Sequence, residues 1–173
     1  HAVLLTVLNP HYSKLSLLMK TQATALALFL AFSTVPSAVY AFDANKLPPS
    51  KRTLSGNYLS AKDAYKMKTK DPYNVLHIDV TDFALPLFVG IADEVDKVIP
   101  LKLHNPAAWD YKKERYGQYV NPDFVAAIDE LVLLKEKDKA TPIILMCRSG
   151  DRSAEAATLL TKNGYTNVYT VYD

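Results

Sequence analysis

The chain has 173 residues, of which 49% are apolar and 22% charged, with 20 Lys and Arg against 18 Asp and Glu. That length and composition fit one globular domain with a real core and exclude a wholly disordered chain. A single cysteine excludes an intrachain disulfide framework and any multi-cysteine zinc or iron–sulfur site, and no Lys/Arg run is long enough to follow a phosphate backbone.

At the N-terminus Lys14 and Lys20 precede an apolar stretch, Ala23 to Phe32, then a Pro36 break and Ala38-Val39-Tyr40-Ala41. A basic flank, a short apolar run and small residues before a cut site are the parts of a secretory signal peptide. The apolar run is short for a membrane span, which needs about 20 residues; an uncleaved anchor is the alternative. Residues 1–18 read as upstream residues, 19–41 as the signal peptide, with cleavage after Ala41. The mature chain then carries 18 basic and 18 acidic residues. Export points to the bacterial periplasm, with no stable membrane insertion after cleavage and no nucleic-acid partner.

Residues 42–58 have no periodicity, and Pro48-Pro49 argues against a helix there, so they read as an extended lead-in. Ser60 is an N-cap with Asp63 in the first turn, and the helix it opens stops near Lys70 because Pro72 disfavours helical geometry at Asp71. Tyr73 to Val80 is rich in β-branched and aromatic residues and reads as a strand. Residues 81–120 have little clear period. Val98-Ile99 could be a strand, and Trp109, Tyr111, Tyr116 and Tyr119 among basic residues read as a polar-aromatic surface excursion. Asn121-Pro122-Asp123 opens a helix whose apolar face runs through Phe124, Ile128, Leu131 and Val132 to about Lys137. Pro142 to Cys147 is a continuous apolar run, the mark of a strand buried on both faces. Ser153 to Asn163 is a helix closed by Gly164, and Asn167 to Tyr172 is a last strand. Strands alternating with helices predict an α/β fold, a mainly parallel sheet with helices on both faces. Ending on a strand points to a C-terminus from which a helix is missing.

The chemistry lies in Cys147-Arg148-Ser149-Gly150-Asp151-Arg152-Ser153. The cysteine stands where a buried strand ends and a helix begins, the place where open α/β sheets bind ligands. Backbone N–H groups of such a turn can form an anion-binding nest, and Gly150 lets it close. These groups, the helix dipole and two guanidinium groups favour a thiolate, lowering the cysteine from about 8.5 towards roughly 3.5–7.5. Taken alone, a cysteine ending an apolar strand is more often an inert buried residue; its neighbours and the export signal argue for a nucleophile.

This segment resembles the loop of the rhodanese-like sulfurtransferases, as do the strand before it and the helix and Asn-Val-Tyr strand after it; Val75-Leu76-His77-Ile78-Asp79-Val80 is similar to the family's early Asp-Val strand. The resemblance places the domain at residues 59–173. It departs at Thr81, where the family usually has Arg, and at Gly90 to Pro100, which only echoes the family's Gly-His-Ile-Pro-Gly-Ala stretch; residues 101–120 are longer than a minimal domain needs. The resemblance implies a two-step cycle in which Cys147 takes a sulfane sulfur from a donor such as thiosulfate, becomes a persulfide, and passes the sulfur to cyanide or a thiol. Backbone N–H groups from Arg148 to Ser153 would cradle the sulfur. Arg148 is the candidate for holding the donor, and Arg152 for bracing the loop against Asp79. Ser149 and Ser153 could donate hydrogen bonds, Ser153 first as an N-cap. No cofactor or metal is implied. Small donors and acceptors are the expected partners, with a periplasmic protein partner open.

Phosphatases and arsenate reductases that use a cysteine hold one residue more between Cys and Arg, and Asp151 would repel a dianion, so they are the weaker alternative. The competing class is a non-catalytic binding or sulfur-carrier module. His77 reads as a core or edge histidine. His104 could line the site, and Trp109 with the nearby tyrosines could wall a cleft.

Overall fold

The computed structural model describes residues 42–173, so the readings of 1–18 as upstream residues and of 19–41 as a signal peptide lie outside the described residues. The strands are β1 (Tyr58–Leu59), β2 (Leu76–Asp79), β3 (Lys97–Val98), β4 (Lys102–Asp110), β5 (Arg115–Val120), β6 (Ile143–Met146) and β7 (Val168–Val171). The helices are α1 (Ala61–Lys70), α2 (Ala84–Val89), α3 (Phe124–Leu134) and α4 (Asp151–Lys162). Five strands form one all-parallel sheet in the order β1-β7-β6-β2-β3, and β4 and β5 form a separate antiparallel pair. The α/β reading holds.

β6 is the central strand, and its period of two feeds both faces of the sheet. Ile143 and Leu145 pack into the larger core with Phe124 and Ile128 of α3 and Ala157 and Leu160 of α4. Ile144 and Met146 join the smaller one with Ala64 and Met67 of α1. Helices therefore cover both faces, as a parallel sheet requires.

The helix signals hold at α1, where Ser60 Oγ accepts the Asp63 N–H at 3.1 Å. At α3, Asn121 Oδ1 accepts the Asp123 N–H at 3.1 Å before the first full turn. Gly164 closes α4 with φ of +89°, a conformation that favours glycine.

Two expectations fail. The lead-in is not simply extended. It forms 3₁₀ turns at Ala44–Lys46, where the Asp43 side chain accepts the Asn45 N–H, and at Pro49–Lys51, where proline is tolerated because its missing N–H at the first position leaves nothing unpaired. It also docks on the domain: Lys51 Nζ donates to the Tyr172 carbonyl at 3.2 Å, and the Phe42 ring stacks on Tyr172 at 4.3 Å. Residues 81–120 are likewise more regular than their sequence. They hold α2, with Pro86 in its first turn, and the β4–β5 hairpin, whose register shifts between Asn105 and Trp109 around Pro106. The break in pairing there accommodates a residue with no N–H to donate. Trp109 packs edge-on against Tyr116 at 4.9 Å.

His77 lies within β2, 6% exposed, and neither ring nitrogen has a hydrogen-bond partner among the described residues. Burial, outweighing the attraction of Asp96, holds it below its ordinary value of 6.5. Just below pH 6.5 the unfolded chain therefore binds more protons than the folded one, so stability rises with pH through that window and falls as the pH drops. Urea unfolding at pH 7.5 and 5.5 should show wild type losing more stability than His77→Phe, the difference having a slope of at most about 1.4 kcal/mol per pH unit. Equal losses in the two proteins would contradict a buried neutral imidazole.

Candidate active site

β6 carries the chain out of the core at Met146, and α4 starts at Asp151. Cys147 to Gly150 make the turn between them. Gly150 takes φ of +85°, the left-handed region, which lets the chain reverse directly into the helix without a Cβ penalty. The space is also occupied. A Cβ on Gly150 would lie 3.3–3.4 Å from Cδ, Cε and Nζ of Lys51, so a residue of the lead-in lies over the loop.

The Cys147 side chain is half-buried, packed at its base against the larger core. Its sulfur faces the loop, accepting the Gly150 N–H at 3.2 Å and lying 3.7 Å from Ser153 Oγ. The sulfur thus lies beside a backbone amide and at the N-terminal turn of a twelve-residue helix, where backbone N–H groups have no intrahelical partner.

Ser153 is not the N-cap. The helix begins two residues earlier because Gly150 completes the turn, and Ser153 sits inside the first turn, fully buried. Its hydroxyl donates to the Gly150 carbonyl at 3.0 Å and accepts from Thr170 Oγ1 at 2.8 Å. Ser153 thus pins the loop to β7 while keeping an oxygen beside the sulfur.

Arg152 does not reach Asp79. The Asp79 carboxylate turns back to accept the Thr81 N–H at 2.8 Å, an Asx turn that fixes the end of β2. The partner of Arg152 is Asp82, with Nη1 to Oδ2 at 3.4 Å and both side chains largely buried. Asp82 was missed in the sequence. It also accepts the Ala84 N–H at 3.0 Å, and an aspartate two residues ahead of a short apolar helix is a start signal that could have marked it. His104, on β4, places Nδ1 3.6 Å from Asp82 Oδ1, so the structure draws this histidine to the group that braces the loop.

Arg148 and Ser149 are exposed at the rim. Ser149 Oγ donates to Asp151 Oδ2 at 2.9 Å. Hydroxyls of Ser50 and Ser149 and the nearby Lys51 charge hold the Asp151 carboxyl below its ordinary range, despite a small opposing cost of burial. Arg148 has no ion-pair partner among the described residues, which leaves its guanidinium available to an anion. Trp109, Tyr116 and Tyr119 lie on the β4–β5 pair and Tyr111 in the turn between the two strands, all of them exposed. Among the described residues, no group of three or more His, Cys, Asp or Glu side chains could hold a metal ion, and no helix is long and apolar enough to cross a membrane.

The family model of the rhodanese-like domain matches residues 60–173, well over half of the chain. Comparison with curated proteins finds no match. Among solved structures, the chain is similar to the polysulfide-sulfur transferase homodimer from Wolinella succinogenes, at 21% identity over 72% of this chain and 70% of that one, with a TM-score of 0.43. It is similar to Rv0390 from M. tuberculosis at 27% identity, covering 68% of this chain and 77% of that one, with a TM-score of 0.45. Wild-type EanB matches at 16% identity, covering 73% of this chain and 26% of that one, with a TM-score of 0.44. By the extent of the domain match, this chain belongs to the rhodanese-like domain family, for which sulfur transfer is the supported chemistry.

Proposed function

We propose that the protein is a periplasmic sulfurtransferase that moves a sulfane sulfur from a donor such as thiosulfate to a thiophilic acceptor through a persulfide on Cys147. The observation that carries this reading is the Cys147 sulfur at the end of the central strand, 3.2 Å from the Gly150 N–H and in front of the α4 N-terminus. The periplasmic location rests on the sequence pattern of residues 19–41.

In the first step the Cys147 thiolate attacks the outer sulfur of thiosulfate. A sulfur–sulfur bond forms to the enzyme, the bond to the sulfonate sulfur breaks, and its electron pair leaves with sulfite. Arg148, exposed at the rim and without an ion-pair partner among the described residues, is placed to hold the sulfonate oxygens. In the second step the acceptor attacks the outer sulfur of the persulfide. With cyanide the product is thiocyanate, and the electron pair of the broken bond returns to Cys147 as thiolate. The turn and the first helical amides receive the negative outer sulfur between the two steps. Arg152 stays paired with Asp82 and acts as a brace.

Four residues between Cys147 and Arg152, with Asp151 among them, suit one added sulfur better than a tetrahedral dianion. Steady-state formation of thiocyanate from thiosulfate and cyanide tests the reading. Turnover is expected in wild type, with a raised donor KM in Arg148→Ala. Failure to turn over thiosulfate, polysulfide or a low-molecular-weight persulfide would favour a binding module instead.

A further inference from the structure

The long segment after β3 has no role in the two steps above, yet it meets the loop helix once directly and once through Asp82. Lys102 and His104 are two apart on β4 and share one face of the hairpin. Arg152 and Glu155 are three apart on α4 and share one face of that helix. The two faces meet. Lys102 Nζ lies 2.5 Å from Glu155, and His104 reaches Arg152 through the Asp82 carboxylate, at 3.6 Å on one oxygen and 3.4 Å on the other. The His104 ring is held across the hairpin by Gln118, whose Nε2 lies 2.9 Å from His104 Nε2. With that amide donating, the ring hydrogen sits on Nδ1 and faces Asp82.

We propose that the β4–β5 hairpin is a clasp on the sulfur-transfer loop, with Asp82 and His104 as positioning residues that set the pose of Arg152, and through it of the Cys147 turn. Asp82 is suited to this because it is shared: one oxygen takes the Ala84 N–H and faces His104, the other takes Arg152. The carboxylate offsets the Arg152 charge, so Arg152 holds the loop rather than the donor. The direction of the kinetic effects follows. Removing the Asp82 charge frees a cation near the loop, which cannot weaken binding of an anionic donor, but lets the turn shift, and small misplacements at a reacting centre cost roughly tenfold to a hundredfold in rate.

The inference rests on the sulfur-transfer reading for its kinetic test but not for its chemical one. In the full-length protein, Asp82→Asn is expected to lower kcat by about tenfold or more with the donor KM unchanged or lower. Asp82→Glu should recover part of the rate, and His104→Ala should give a smaller loss in the same direction. Independently of any donor, the pH–rate profile for alkylation of Cys147 by iodoacetamide should shift in Asp82→Asn and in His104→Ala, with far-UV circular dichroism unchanged. A wild-type kcat and alkylation profile in both variants would overturn the clasp, as would a raised donor KM with kcat unchanged, which would show that Asp82 acts on donor binding and not on the pose of the turn. If Asp82→Asn does not fold, His104→Ala decides, because it leaves the Asp82–Arg152 pair in place. If wild type transfers no sulfur, the function proposed above fails by itself, while the alkylation profiles still decide the role of the hairpin.

Discussion

Cys147→Ser is expected to lower kcat/KM for sulfur transfer by at least about a thousandfold while leaving the fold intact. The substitution keeps the size of the side chain and its hydrogen-bonding position beside Gly150, but a hydroxyl is a far weaker nucleophile and leaving group than a thiolate at neutral pH. Little stability should be lost. The thiol is only half-buried, and its two polar contacts among the described residues are the Gly150 N–H at 3.2 Å and Ser153 Oγ at 3.7 Å, both weak for sulfur. A change in unfolding free energy within about 0.5 kcal/mol is therefore expected. The combination matters, because loss of activity with loss of fold would say nothing about the nucleophile. Thiocyanate formation within tenfold of wild type in the serine protein would move the chemistry to another residue.

The largest effect on stability is expected at the other end of the sheet. Lys68 on α1 is 5% exposed, and its ammonium donates to the carbonyls of Pro72 and Val75, each at 2.8 Å, and to Asp96 at 2.7 Å. All three of its hydrogens are committed. Asp96 also accepts the His77 N–H at 2.8 Å, so one carboxylate ties α1 and the turn after it to β2. Asp96→Ala leaves a buried ammonium without its counter-charge and the His77 N–H without its acceptor. Breaking such a pair costs about 3–5 kcal/mol. Because Asp96 keeps some contact with water, the lower figure is expected, about 3 kcal/mol, or a fall in Tm of roughly 10 °C. The surface pair Lys66–Asp63, at 3.6 Å and largely exposed, is the internal control. Lys66→Ala should change stability by less than about 0.5 kcal/mol. Equal effects from the two substitutions, measured by urea unfolding, would contradict a structural role for the buried pair.

What could be read from the residues alone follows from where the folding information is local. β6 and the start of the loop were legible because a continuous apolar run ended by polar residues has few other solutions. The caps at Ser60 and Gly164 were legible because each rests on one side chain or one left-handed residue. β1, two residues long, was not, since it exists only by pairing with β7. The β4–β5 hairpin was hidden for a different reason. Most of its residues are exposed on both faces, so no apolar alternation marks it, and its register shifts around Pro106.

At the site, the loop residues and their order were legible, but two partnerships were not. Asp79 and Asp82 flank the same turn, and which one meets Arg152 depends on the rotation of the chain after β2, where Asp79 is spent on the Thr81 N–H. Ser153 was misread as a cap because the φ of +85° at Gly150 moves the helix start to Asp151. The docking of Lys51 over Gly150 joins residues far apart in the chain, and no local pattern announces it.

The central claim is that one sulfur atom resides on Cys147 between the two half-reactions. Intact mass spectrometry of the full protein after incubation with thiosulfate, with and without later cyanide, tests it most directly. The expected result is an adduct of one sulfur atom, located on Cys147 by peptide mapping, absent from Cys147→Ser and removed by cyanide with release of thiocyanate. Thiocyanate formation by a protein whose Cys147 never carries that adduct would contradict the claim.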